Sequence, residues 1–66
     1  MSLFDYAESK RMGESDPPFA AWIMGAYRKA DTDNAALLRA AFPEIVEELQ
    51  QRYDAPGGLL PGEVQS

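Results

Sequence analysis

Apolar residues follow the period of an α-helix over residues 17–30. They recur at spacings of three and four, at Phe19, Trp22, Ile23, Ala26, Tyr27 and Ala30. Asp16, or Ser15 before it, can cap the helix, and Pro17 suits the first turn, where no amide proton is needed. The pattern therefore predicts a helix over residues 17–30.

Residues 31–53 continue the helical pattern with one interruption. The Asp-Thr-Asp-Asn run at 31–34 favours a turn, and either of its first two residues can cap the next helix. Pro43 lacks an amide proton and disfavours helical torsions at the residue before it. Either one helix kinks at Pro43 or a new helix begins there. We favour the break, because the glutamates that follow suit a helix N-terminus, and we expect helices over 33–42 and 43–53.

The N-terminal segment fits a short helix over residues 2–11, which Gly13 terminates. One side of this helix carries Leu3, Phe4, Ala7 and Met12. No segment alternates apolar and polar residues as a strand does. We expect an all-α fold, either a small helical hairpin or a domain of three to four helices. Helices 33–42 and 43–53 then pack antiparallel to helix 17–30.

An extended tail rich in Pro and Gly follows the last helix. Residues 55–58 read Ala-Pro-Gly-Gly and cannot continue a helix. Leu59 and Leu60 come next, before a second Pro-Gly pair. The two leucines either fold back over the hairpin and close the core, or form an extended segment that docks in a partner's groove. We place a single domain at 1–62 and a frayed tail at 63–66.

Composition narrows the possible classes of function. The 66 residues allow one marginal domain, and the absence of Cys and His excludes a disulfide framework and an ordinary zinc site. A net charge of −5 opposes direct binding to nucleic-acid phosphates and to anionic membranes. No apolar run reaches the roughly 18 residues of a membrane span, and the N-terminus lacks the features of a signal peptide. We expect a cytoplasmic protein that binds neither membrane nor nucleic acid directly.

The catalytic inventory is thin, and we expect neither an enzyme nor a cofactor. Without Cys or His, nucleophilic triads and imidazole acid–base chemistry are excluded. Three glutamates within 44–48 could supply a carboxylate pair, but so small a chain can hardly enclose the dry cleft that this chemistry needs. Residues 31–34 resemble the start of a calcium loop. The required Gly and Glu are replaced by Ala36 and Phe42, so no metal is predicted.

The helix at 17–30 has an unusually apolar centre. Every residue from Phe19 to Tyr27 is apolar or glycine. A helix that is apolar all round is usually buried on all sides, so one interpretation is a core helix wrapped by its neighbours. That much covering surface is hard to find in a short chain. In the alternative interpretation, Trp22, Met24 or Tyr27 faces another subunit or a partner, because aromatic residues and Met are enriched in interface cores.

The acidic surplus also has two interpretations. It can simply keep a small helical protein soluble. Alternatively, carboxylates on a helix face can imitate a phosphate backbone and occupy a basic nucleic-acid channel. The candidates for such a face are Asp33, Glu44, Glu47, Glu48 and Asp54. Most of them already have capping or helix-dipole explanations, which favours the first interpretation.

Several stretches of the chain together resemble small phage and prophage proteins of unknown function. These stretches are Asp16-Pro17-Pro18-Phe19, Ile23-Met24, Ala30-Asp31-Thr32-Asp33-Asn34, Phe42-Pro43-Glu44, Glu47-Glu48-Leu49 and Arg52-Tyr53-Asp54-Ala55-Pro56-Gly57-Gly58. The resemblance spans about residues 16–62 and lies in overall texture rather than in a defined motif. It implies an accessory role carried by a phage, including inhibition of a host defence or polymerase complex. It brings no activity and no site residues.

The sequence favours a non-enzymatic protein–protein interaction module, which binds another protein, itself, or both. We expect a homo-oligomer that docks through its hydrophobic helix, at Trp22, Met24 and Tyr27, and through Leu59 and Leu60. Two alternatives belong to other classes. One is an acidic inhibitor that mimics nucleic acid, and the other is a minor structural component of a larger particle.

Overall fold

The structure is a computed structural model that describes residues 2–63, and it confirms an all-α fold. Its elements are α1 (Leu3–Glu14), α2 (Phe19–Lys29), α3 (Thr32–Ala41), α4 (Pro43–Asp54) and a 3-10 turn (Pro56–Gly58). The described part of the chain contains no strand. Residues 64–66, most of the predicted frayed tail, lie outside the described residues.

Helix α1 is longer than its sequence pattern predicts and begins with a capping box. The side chain of Ser2 accepts a hydrogen bond from the Asp5 backbone N–H, at 3.2 Å, and the Asp5 carboxylate accepts one from the Ser2 N–H, at 2.9 Å. This exchange satisfies two amide donors that a helix end otherwise leaves free. Within residues 2–63, no other helix packs against α1. The helix is therefore held by local interactions.

The predicted start of α2 is wrong by two residues, and Asp16 does not cap it. The N-cap is Pro18, with φ −59° and ψ 151°, and no side chain caps the helix. A residue before proline is pushed towards extended torsions, so Pro17, which precedes Pro18, cannot begin a helix. Asp16 takes a left-handed φ of 49°, which Asp tolerates better than most residues. The double proline thus separates α1 from α2.

The junctions on either side of α3 follow the sequence closely. The Asp31 carboxylate caps α3 by accepting a hydrogen bond from the Asn34 backbone N–H, at 2.8 Å. The break at Pro43 is confirmed, because Phe42 leaves helical torsions with φ −133° and ψ 61°. The Phe42 ring packs edge-on against that of Phe19, with ring centroids 5.6 Å apart. This contact joins the α3–α4 corner to the beginning of α2.

The buried core is small and belongs to α4. Val46 is 1% exposed and Leu49 is 6% exposed, and they are the only buried residues in the described part of the chain. Helix α4 packs against α2 and α3, and α2 packs against α3. Helix α2 has no buried residue, so its neighbours do not wrap it on all sides. In so short a chain, two neighbouring helices cover one side of α2 and leave the other open.

The chain is more extended than a compact domain of its length. Its radius of gyration is 14.0 Å, against about 11 Å for a compact chain of this size. Its accessible surface is 5587 Å², against about 4,200 Å² for a compact monomer of this mass. The chain therefore exposes roughly 1,400 Å² more than a compact monomer, and within residues 2–63 α1 packs against no other helix and α2 has no buried residue.

Candidate interaction surface

The C-terminal tail is fastened to α4 by Arg52. The guanidinium donates one hydrogen bond to the Gly58 carbonyl, at 2.8 Å, and two to the Glu63 carboxylate, at 2.7 and 2.8 Å. It also donates to Glu48, one turn earlier on α4, at 2.9 Å. Leu59 and Leu60 lie between these anchor points and are half-buried. Arg52 therefore returns the tail to the helix and does not leave the two leucines fully free.

This arrangement shifts the ionisation of both partners. The hydrogen bonds from Arg52, and then one from the Leu60 backbone N–H, lower the pKa of Glu63 from 4.5 to about 2. The hydrogen bonds to Glu63 and Glu48 raise the pKa of Arg52. Both groups stay charged at neutral pH, so the tail contact is an ion pair under ordinary conditions.

Two of the three candidate residues on α2 have intramolecular partners. The Trp22 indole N–H donates a hydrogen bond to the Pro17 carbonyl, at 3.0 Å, and ties α2 to the segment before it. The Tyr27 hydroxyl accepts a hydrogen bond from the Arg39 guanidinium, at 2.7 Å, and the guanidinium lies 5.8 Å from the ring centroid. Met24 is half-buried, as are Trp22 and Tyr27. These aromatic residues therefore help to hold the fold together.

Helix α2 has a covered side and an open side. The covered side carries the half-buried residues Ala20, Ile23, Met24, Tyr27 and Ala30. The open side, which we call the outer face of α2, is formed by the exposed residues Ala21, Gly25, Ala26 and Lys29, with Trp22 at its margin. Within residues 2–63 no other helix covers the outer face, and three of its residues, Ala21, Gly25 and Ala26, are small, whereas Lys29 and the exposed Arg28 beside Ala21 are long and charged. A neighbouring helix could therefore approach its backbone closely.

Gly25 has no role in the isolated chain that we can identify. A Cβ built at this position meets no atom within 4 Å, and its φ is not positive. A glycine inside a helix costs about 0.5–1 kcal/mol relative to alanine, because it loses more backbone entropy on folding. Neither intramolecular crowding nor a turn requires glycine here.

A groove of about 420 Å³ lies between the end of α1 and the outer face of α2, and we call it the α1–α2 groove. Its lining is mainly apolar and includes Met12, Pro17, Ala21, Trp22, Gly25 and Ala26. A second groove of about 530 Å³ lies on the α3 side of the same helix, where Leu37 and Ala41 face Ala26. Lys29 borders both grooves. The outer face of α2 is therefore a ridge between two apolar grooves.

The first half of α1 carries further exposed apolar residues. Leu3 is 81% exposed and Phe4 is 71% exposed, and Tyr6 is also exposed. The predicted alignment of Met12 with Leu3 is not met. Leu3 and Met12 are nine residues apart, and at 100° per residue they lie on opposite sides of α1. Phe4 and Met12 are eight residues apart and share a side. Because Met12 lines the α1–α2 groove, Phe4 belongs to the groove side of α1.

Most of the acidic candidates lie together. At 100° per residue, Glu44, Glu47 and Glu48 fall on the side of α4 opposite the buried Val46 and Leu49, and all three are exposed. Asp54 is also exposed, but it lies about 80° from Val46 and lines a groove together with Tyr27, Arg28 and Leu49. Asp33 lies apart from them, in the first turn of α3. Glu48 is already paired with Arg52. The face is therefore acidic, with one of its charges locally compensated.

Residues 2–63 contain neither of two common patterns, a cluster of metal ligands and a membrane-spanning helix. Across residues 2–63, no group of acidic side chains is arranged to hold a metal ion. No helix in this range has both the length and the apolar character needed to cross a membrane. The exposed helix surfaces described above are the candidate interaction sites of the protein.

The surfaces described above are interpreted from the chain's own residues, because no protein-family model, curated protein or solved structure matches the chain. The phage-like resemblance and the cytoplasmic location stay predictions. The sequence pattern did not predict the outer face of α2 or the exposed apolar residues in the first half of α1. The glycine inside the apolar helix α2, Gly25, was a signal that indicated the outer face.

Proposed function

We propose that the protein is a non-enzymatic interaction module that assembles with copies of itself. The observation that carries the proposal is the uncovered outer face of α2, a ridge of mainly small residues between two apolar grooves, in a chain exposing 5587 Å² where a compact monomer exposes about 4,200 Å². Exposed apolar surface that is continuous with grooves is typical of protein–protein contact sites. Self-association covers this surface without requiring a separate partner.

The docking surface in this proposal includes fewer of the residues that the sequence predicted for docking. Trp22 borders the outer face and also holds the Pro17 carbonyl, so it supports the surface and contributes to it. Met24, Tyr27, Leu59 and Leu60 are half-buried on other sides of the fold. We assign them mainly to stabilising the fold that presents the outer face.

A non-enzymatic role fits the position of the carboxylates. The glutamates of α4 lie on exposed helix surface and not in an enclosed cleft. Acid–base catalysis by a carboxyl pair needs environments that push the two pKa values apart. Open apolar grooves are better suited to receiving side chains of another protein.

The test is the solution mass, measured by light scattering over a range of concentrations, for wild type and three matched variants. Gly25→Glu and Ala26→Glu place a charge on the outer face, and Gly25 has open space around it. Ala40→Glu adds the same charge at an exposed position on α3. We expect a dimer or larger oligomer for wild type and Ala40→Glu, and a monomer for the first two variants.

Helicity measured by circular dichroism accompanies each mass, so that unfolding is recognised. A monomeric wild type at every concentration contradicts self-association. An oligomer that persists in folded Gly25→Glu and Ala26→Glu contradicts the assignment of the surface.

The acidic face of α4 favours a second candidate, an inhibitor that mimics nucleic acid. The supporting observation is that three carboxylates, those of Glu44, Glu47 and Glu48, share the exposed side of one helix. Binding to a basic target would then weaken steeply as salt rises, and the double variant Glu44→Lys and Glu47→Lys would abolish it. Glu48 is left unchanged because it holds Arg52. A salt-insensitive interaction argues against this candidate.

A further inference from the structure

Helix α1 has an uneven distribution of charge along its length. Asp5 and Glu8 lie in its first six residues together with the exposed aromatic residues, and Lys10, Arg11 and Glu14 follow in its second half. The groove side of α1 carries both signs, because Phe4, Glu8 and Met12 follow one another at four-residue spacing with Asp5 and Arg11 beside them. The groove side of α1 is therefore complementary in charge to the same side of a second α1 that runs in the opposite direction.

We propose that α1 of a second copy lies antiparallel along α1 and fills the α1–α2 groove, in a twofold symmetric dimer. The proposal rests on the self-association proposed above and names the segment that covers the outer face of α2. In such a dimer the same patch serves both copies, so each groove receives the α1 of the other.

The register of this pairing follows from the positions of the side chains. Placing Phe4 opposite Met12 of the second copy puts Glu8 at the twofold axis and Asp5 opposite Arg11 of the second copy. Each Arg11 already pairs with Glu8 of its own chain, at 2.7 Å. In the dimer it then lies between that Glu8 and the carboxylate of Asp5 of the second copy. The two glutamates at the axis are thereby compensated. Parallel pairing instead places like charges together, which disfavours it.

The exposed area is sufficient for this arrangement. The chain exposes roughly 1,400 Å² more than a compact monomer, and a standard interface buries about 800 Å² on each partner. Helix α1 is free to enter such a contact, because within residues 2–63 no helix of its own chain packs against it. The small side chains at Ala21 and Gly25 allow an entering helix to approach α2 closely.

The first experiment compares charge reversals at two neighbouring residues of α1. Arg11→Glu reverses the charge on the groove side, and Lys10→Glu makes the same change about 100° around the helix, where Lys10 lies over the Tyr6 ring. We expect Arg11→Glu to raise the dimer dissociation constant about tenfold or more and Lys10→Glu to change it much less. Phe4→Ala and Tyr6→Ala form a second matched pair with the same expectation.

The second experiment reads the orientation of the helices directly. The chain has no cysteine, so single cysteines can be introduced and joined with a short bismaleimide. Glu8→Cys chains are expected to cross-link with each other. Phe4→Cys and Met12→Cys chains are expected to cross-link efficiently only when mixed, because antiparallel helices separate two copies of position 4 by about 12 Å along the axis.

The outcomes separate this inference from the proposed function. A dimer that tolerates Arg11→Glu as well as Lys10→Glu, or in which Phe4→Cys cross-links with itself, overturns the antiparallel α1 contact and leaves self-association standing. A wild type that is monomeric at every concentration overturns both. A dimer with the expected variant pattern and the mixed cross-link supports both.

Discussion

The guanidinium of Arg52 holds the carboxylate of Glu63 through two hydrogen bonds, of 2.7 and 2.8 Å, across eleven residues of chain. The same guanidinium also donates to Glu48 on α4 and to the Gly58 carbonyl, so one side chain joins α4 to the tail at two residues, Gly58 and Glu63. Bidentate contacts between Arg and a carboxylate are both directional and relatively strong. The position of Leu59 and Leu60 depends on this one arginine.

Tail attachment is expected to depend on pH through Glu63. Its pKa is lowered to about 2 in the folded chain from an ordinary value of 4.5. The contact therefore contributes its full stability above about pH 4.5 and loses it as the pH falls towards about 2. Hydrogen exchange at the Leu60 amide, which donates to Glu63 at 2.9 Å, should accelerate over this range beyond its intrinsic rate.

Glu63→Gln is the control for this pH dependence. It retains an oxygen acceptor and removes the charge, so protection at Leu60 should be lower at neutral pH and independent of pH between 2 and 4.5. Protection that stays pH-dependent in the variant would assign the effect to another group.

Leu49→Ala is expected to destabilise the fold severely. Leu49 is one of the two buried residues, and truncation of a buried leucine costs about 2–5 kcal/mol. A chain of this length has a total unfolding free energy of about 3–10 kcal/mol. Urea denaturation followed by circular dichroism measures the loss. Leu37→Ala, at an exposed leucine, should change stability by less than about 0.5 kcal/mol in the monomer.

The caps of α1 and α3 are expected to behave differently when removed. Ser2→Ala loses the α1 cap, and Asp31→Ala loses the α3 cap, at about 1 kcal/mol each. Because no described helix of the same chain packs against α1, Ser2→Ala should lower total helicity without shifting the melting of α2–α4 at concentrations where the chain is monomeric. Asp31→Ala should lower the melting temperature. Equal shifts for the two variants would indicate that α1 is coupled to the rest of the fold.

Two glycines should respond to alanine with opposite signs. Gly25 is helical and uncrowded, so Gly25→Ala should stabilise the monomer by about 0.5–1 kcal/mol. Gly58 has a φ of +71°, which side chains adopt at a cost of about 1–2 kcal/mol, so Gly58→Ala should destabilise the tail turn. Thermal unfolding at concentrations where the chain is monomeric compares them. A loss of stability in Gly25→Ala would mean that its neighbours crowd it.

Local chemistry accounts for most of the helical pattern that the sequence predicts. The break at Pro43 and the cap at Asp31 were both predictable, because each depends on residues within one turn. The error at Asp16 is local as well. Pro18 restricts the torsions of Pro17, the residue before it, so α2 begins after Pro18 and not at Pro17.

The sequence by itself determined where helices form and placed the cap at Asp31 and the break at Pro43, since helix propensity, capping and proline act over a few neighbouring residues; it missed the start of α2 and the end of α1, which runs past Gly13. Only the tertiary structure decided that α4 supplies the buried core, that α2 leaves one side open, and that Arg52 captures Glu63. An apolar stripe shows that a helix side favours burial, but not which neighbour can reach it. That choice depends on the directions in which short connections send each helix, and α1 and α2 carry apolar surface that this fold leaves exposed.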